Sequence, residues 1–123
     1  MELQNINNSN LKTFLNKEEI VTATAQQIMK DFGMFGVEII FSGKIESAYD
    51  ELHSQLVIQI KILMDRDMEK LMSVLYQVDI SDAEIRKAEK ELPGYTNVEV
   101  IAHQIIVRDL KKVLTRNYFK NKE

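Results

Sequence analysis

Apolar residues recur along most of this chain every three or four positions, and that spacing predicts helices. Ile20, Ala23, Ile28 and Phe32, flanked by Val21, Ala25 and Met29, form one stripe and predict a first helix over 16–32. Asn16 and Glu19 stand at capping-box spacing at its start, and Gly33 offers a left-handed stop. Ile45, Tyr49, Leu52, Leu56, Ile60 and Leu63 fall on one side of a second helix over 45–64. Residues 56–64 are apolar nearly all round, which predicts a helix buried on several sides. An unbroken helix from 45 to 78 would be about 50 Å long, whereas a domain of this size has a radius of gyration of about 14 Å. The segment Asp65-Arg66-Asp67 is therefore the expected bend, and it supplies N-caps for a third helix. Met68, Leu71, Met72 and Leu75 give that helix its core face. Ser81 and Glu84 have capping-box spacing and open a short charged helix to Glu91, which Leu92-Pro93-Gly94 stops.

The last helix is predicted over 97–120, with Asn97 as its cap. Val98, Ile101, Ala102, Ile105, Ile106 and Val113 form its apolar stripe. Arg108, Lys112 and Arg116 run beside the stripe four residues apart. This reads as an amphipathic helix with a basic second face, able to pack on its own domain and to meet an acidic partner. Between the first two helices, Val37, Ile39 and Phe41 alternate with Glu38, Ile40 and Ser42, which predicts a short extended segment. The fold class is therefore all-α, a compact bundle of four or five helices with one extended segment near 37–41. The alternative is α+β, with 37–41 pairing with the β-branched run at 56–62. Residues 1–15 are polar and Asn-rich and read as an N-terminal arm, with Leu11, Phe14 and Leu15 able to dock; residues 16–123 read as one helical domain.

Two stretches carry a resemblance. One is Leu75, Tyr76, Gln77, Val78, Asp79, Ile80 and Ser81; the other is Ile101, Ala102, Ile105, Ile106, Val107 and Arg108, with Lys112 and Arg116 following. Together these resemble a group of small uncharacterised bacterial helical proteins with an L-Y-R-[IL]-D-[VLI]-[SD] turn and an I-A-x-x-I-I-x-R C-terminal helix. The similarity covers roughly residues 37–117. Gln77 departs from it, standing where the pattern has Arg. The resemblance implies a helical single domain and implies no activity, cofactor or partner.

Composition narrows the chemistry. The absence of cysteine excludes disulfides, a thiol nucleophile and every Cys-containing zinc or iron–sulfur site. It fits a reducing, cytoplasmic setting. No run of about 18 apolar residues predicts a transmembrane helix, and residues 1–10 lack the pattern of a signal peptide. The net charge is −3, unevenly spread: residues 108–123 sum to +4 and the rest to −7. An acidic body with a basic end can pair between copies or within one.

No constellation for catalysis is present. There is no G-x-S-x-G and no phosphate loop, and Gly33-x-x-Gly36 lacks the lysine. Asp50-x-x-His53 and Glu99-x-x-x-His103 have the spacing of helix-borne metal ligands. The set is incomplete, and the helical projection puts His53 at the edge of its stripe and His103 opposite the core. The expectation is no metal, no cofactor and no enzyme. Asp109 is the odd residue, projecting onto the apolar face between Ile105, Ile106 and Val113. Burial there requires a cation, from Arg66 or from a second subunit, unless the helix has left the core by that point. Met34 and Phe35 sit in a glycine-flanked loop outside any stripe, where they cover the core or offer an adaptable contact.

The functional expectation is a non-enzymatic protein-interaction or assembly module. Its partner-binding candidates are Arg108, Lys112, Arg116, Asp109, Met34 and Phe35, and its expected partners are an unidentified protein or a second copy, as a homodimer. The alternative is a nucleic-acid binder that uses the basic helix, with Tyr118 and Phe119 to stack on bases.

Overall fold

The computed structural model describes the backbone of residues 18–122 and the side chains of residues 18–117. Five helices follow one another: α1 (Glu18–Gly33), α2 (Ala48–Arg66), α3 (Met68–Val78), α4 (Asp82–Glu91) and α5 (Asn97–Lys122). No strand occurs among the described residues, so the fold is an all-α bundle. Residues 37–42 are extended. They lie along α2 rather than pairing as a strand: Gln55 bonds both backbone groups of Ile40, and Glu51 takes the backbone and side chain of Ser42. The expected arm (residues 1–15) and the Asn16 cap fall outside the described residues, as do the side chains of Tyr118 and Phe119.

The helix ends follow local chemistry. Asp67 separates α2 from α3, and its carboxylate accepts from the backbone N–H of Lys70, so the expected bend is present. Ser81 and Glu84 cap α4 reciprocally. The cap of α5 is Thr96 rather than Asn97: Thr96 Oγ1 accepts from Glu99 N at 3.2 Å, and Glu99 Oε1 accepts from Thr96 N at 2.8 Å. The same S/T-x-x-E logic applies one residue earlier than expected. Gly33 is not the left-handed stop of α1. The chain turns for three more residues and closes at Gly36, φ +75°, with Val37 N–H donating to Phe32 O. Asp79 does the same work after α3. Its φ is +75°, and Ile80 N–H reaches back to Leu75 O.

α5 is the axis of the bundle and packs against each of the other four helices. Val100, Ile101, Ala102, Ile105, Ile106, Val107, Leu110, Val113 and Leu114 are all buried, on every side of it. The amphipathic expectation was too narrow: α5 is apolar nearly all round, as a central helix must be. The expectation for α2 errs in the other direction. Leu52, Leu56, Ile60 and Leu63 are buried, but Ile58 is 56% exposed and Ile62 40%. On α3 the core face is Leu71, Val74, Leu75 and Val78. Met68 and Met72, expected inside, are exposed, as is Met29 on α1.

Candidate functional site

Two polar clusters interrupt the apolar surroundings of α5. The first lies in its second half. Asp109 is fully buried, so the helix has not left the core there, and the cation beside it is neither Arg66 nor a second subunit's. It is Lys112, one turn on, whose Nζ is 3.3 Å from Asp109 Oδ1. The same ammonium donates to Asp31 Oδ2 of α1 at 3.5 Å and to the Gln77 carbonyl at the end of α3 at 3.3 Å. Asp31 is also fully buried. Its other oxygen accepts from Gln27 Nε2 at 2.9 Å, and Gln27 Oε1 accepts from Arg116 Nη1 at 2.6 Å. Arg108 pairs with exposed Asp79 at 2.9 Å.

The basic row is thus laid against the chain's own α1 and α3. Each of its three cations has an intramolecular partner, and Lys112 has three. The two carboxylates share one ammonium. Burial, the hydrogen bond to Asp31 and the negative charge of Asp31 push the Asp109 carboxyl up to about 8, with Lys112 opposing them. Gln27 and Asp31 were not singled out from the sequence. Their only signal was that they share one side of α1 with Ile20, Thr24 and Ile28, five residues at helical spacing.

The second cluster lies one to two turns from the N-terminus of α5. His103 is 3% exposed, not opposite the core as its projection suggested, because α5 is covered on that side by α2. Its Nδ1 is 2.5 Å from the hydroxyl of Tyr49 on α2. His53, one turn along α2, stacks on Tyr49 with centroids 5.3 Å apart, and its Nε2 donates to the Glu99 carbonyl at 3.0 Å. Tyr95, just before α5, closes the cluster edge-on to both imidazoles at 5.9 and 5.8 Å. Burial first, then the hydrogen bond to Tyr95 and the charges of Tyr95, Asp50 and Glu99, raise the Tyr49 pKa well above its ordinary value. Tyr49 is therefore a neutral hydroxyl at physiological pH, hydrogen-bonded to His103 Nδ1.

Of the four residues at metal-ligand spacing, His53 and His103 come together on facing helices, with His53 Nε2 on the Glu99 carbonyl and His103 Nδ1 on Tyr49. The Glu99 carboxylate is held by Thr96, whose backbone and side-chain hydrogen bonds lower its pKa. Among the described residues, no three His, Asp or Glu side chains stand so as to hold a metal ion. Tyr49 was legible as the i−4 neighbour of His53, a spacing that puts two rings on one helix face; Tyr95 carried no such signal.

Met34 is exposed in the turn after α1, while Phe35 is half-buried and packs on the core. A third feature is apolar. Glu51, Gln55, Ile58 and Ile62 share one meridian of α2. The extended segment covers its first two members and leaves Ile58 and Ile62 open, with Ile40 itself 57% exposed at the margin. No helix among the described residues is long and apolar enough to cross a membrane. Comparison of the chain with protein families, curated proteins and solved structures finds no match.

Proposed function

We propose that this protein is a non-enzymatic assembly module that pairs with a second copy of itself through the outer face of α2. The observation that supports this reading is the open row Ile58 and Ile62, with Ile40 beside it. Two β-branched aliphatics one turn apart, each exposing about half its surface, gain from being covered, at about 25 cal/mol per Å² of apolar area. A second copy fits the row for an electrostatic reason. Lys61 and Asp65 are exposed along its rim, one turn apart. An antiparallel two-fold contact sets unlike charges against each other at both ends.

The nucleic-acid reading draws less support. A phosphate backbone would have to draw Arg108, Lys112 and Arg116 away from Asp79, Asp31, Asp109 and Gln27. Reversing those three charges is a poor test, since Lys112 is tied to two buried carboxyls. Direct titration with DNA and RNA at about 50 mM salt, where phosphate contacts are strongest, is the cleaner one.

Light scattering coupled to gel filtration tests the pairing across concentrations from about 1 to 100 μM, a range suited to small interfaces. The expected mass is twice the 14.3 kDa of the chain at the upper end. The double variant Ile58→Lys, Ile62→Lys is expected to stay at the single-chain mass with unchanged helix content. A wild-type protein that remains a monomer throughout overturns the proposal.

A further inference from the structure

Asp31 on α1 and Asp109 on α5 stand on either side of one ammonium, Lys112 Nζ, at 3.5 and 3.3 Å, and both are fully buried. With both ionised, neither oxygen of Asp109 finds a hydrogen-bond donor; the Lys112 ammonium is near Oδ1 without the geometry of a bond. Buried acceptors without donors are costly, and two facing carboxylates with one ammonium leave an uncompensated negative charge. A single proton removes both faults. On Asp109 it turns one oxygen into a donor toward Asp31, and it leaves one carboxylate for one ammonium. The other groups around the pair do not supply this charge. α1 adds the neutral Gln27. The end of α3 adds the neutral Gln77 carbonyl, and its Asp79 is taken by Arg108. On α5, Arg116 reaches the pair only through Gln27.

We propose that Asp31 and Asp109 form a buried proton-binding site that carries one proton at neutral pH and couples the docking of α1 on α5 to pH. In the unfolded chain Asp109 gives up its proton near pH 4. In the folded chain the pair keeps it to higher pH, and on release it passes to solvent. The folded protein therefore holds the extra proton between those limits. Stability falls as pH rises through the window and levels off above the folded midpoint. Two strongly coupled carboxyls titrate as a pair, so the midpoint belongs to both.

Two measurements test this. Urea unfolding from about pH 5 to 9 compares wild type with Asp109→Asn, which keeps a donor for Asp31 and cannot ionise. The ratio of folding constants, variant over wild type, is expected to rise by up to about tenfold per pH unit until about pH 8 and then to level. Groups common to both proteins cancel in the ratio. A ratio that does not change with pH overturns the proposal. The second measurement needs only the wild type. Carboxyl carbon NMR on the seven labelled aspartates is expected to show one midpoint above about pH 6, far from the ordinary value. Seven midpoints below that pH overturn the proposal even if Asp109→Asn does not fold. Asp31→Asn is expected to lower the Asp109 midpoint by removing the facing charge; an unchanged midpoint overturns the pairing and leaves burial alone as the cause.

Discussion

α2 and α5 are the two helices whose sequences are apolar on more than one side, and the bundle treats them oppositely. α5 is enclosed by four helices, and polar residues are drawn inside with the apolar ones: Asp109 and His103 are buried along with its aliphatics. α2 lies on the outside and buries one face, while Ile58 and Ile62 remain in contact with water. An apolar surplus thus has two meanings. On α5 it is matched by neighbours, and the cost appears as buried polar groups that need partners. On α2 it is unmatched among the described residues.

That contrast can be broken at graded depth. The largest effect is expected at Lys112. Replacement by Ala leaves Asp31 and Asp109 without their ammonium, at a cost of about 2–4 kcal/mol, below the figure for a fully enclosed pair because the Lys112 side chain keeps 23% exposure. Urea unfolding reads the loss, which should be smaller at pH 5 than at pH 8, since a more protonated pair needs the cation less. An equal loss at both pH values would place the role of Lys112 in packing alone. A middle effect is expected where the two helices meet. Tyr49→Phe removes the hydroxyl that reaches His103 and is expected to cost about 1–2 kcal/mol. Circular dichroism during thermal unfolding measures it, and a neutral result would mean that the ring cluster is held by its stacking. The smallest effect is expected on the outer face of α2. Ile58→Ser should change monomer stability by less than about 0.5 kcal/mol, read by unfolding at sub-micromolar concentration. A loss above about 2 kcal/mol would show that Ile58 is covered within the single chain and would remove the ground for pairing.

The pattern of the chain determined the helices themselves. Apolar spacing located four of them and the Ser81–Glu84 capping box located the charged α4, and short-range chemistry located their ends wherever a side chain caps its own turn, as at Asp67 and Ser81. These features depend on residues within four positions of one another, so the sequence carries them directly. The same locality explains the small errors: Thr96 and Asn97 are both good caps, and Gly33 and Gly36 both good stops, and only the path of the chain chooses between them. What the tertiary structure alone decided is which helix stands in the middle. Helical projection gives the angle of a residue about its own axis and says nothing of how many neighbours surround that axis. His103, Met68 and Met72 were therefore placed on the wrong side of the surface, and Ile58 was expected inside. The partners of the basic row were hidden for the same reason. Lys112 meets Asp31 across 81 residues of chain and Arg116 meets Gln27 across 89, and no spacing rule reaches that far. The sequence showed that Asp109 required a cation; the crossing of α1 over α5 decided that it would share one with a second carboxylate.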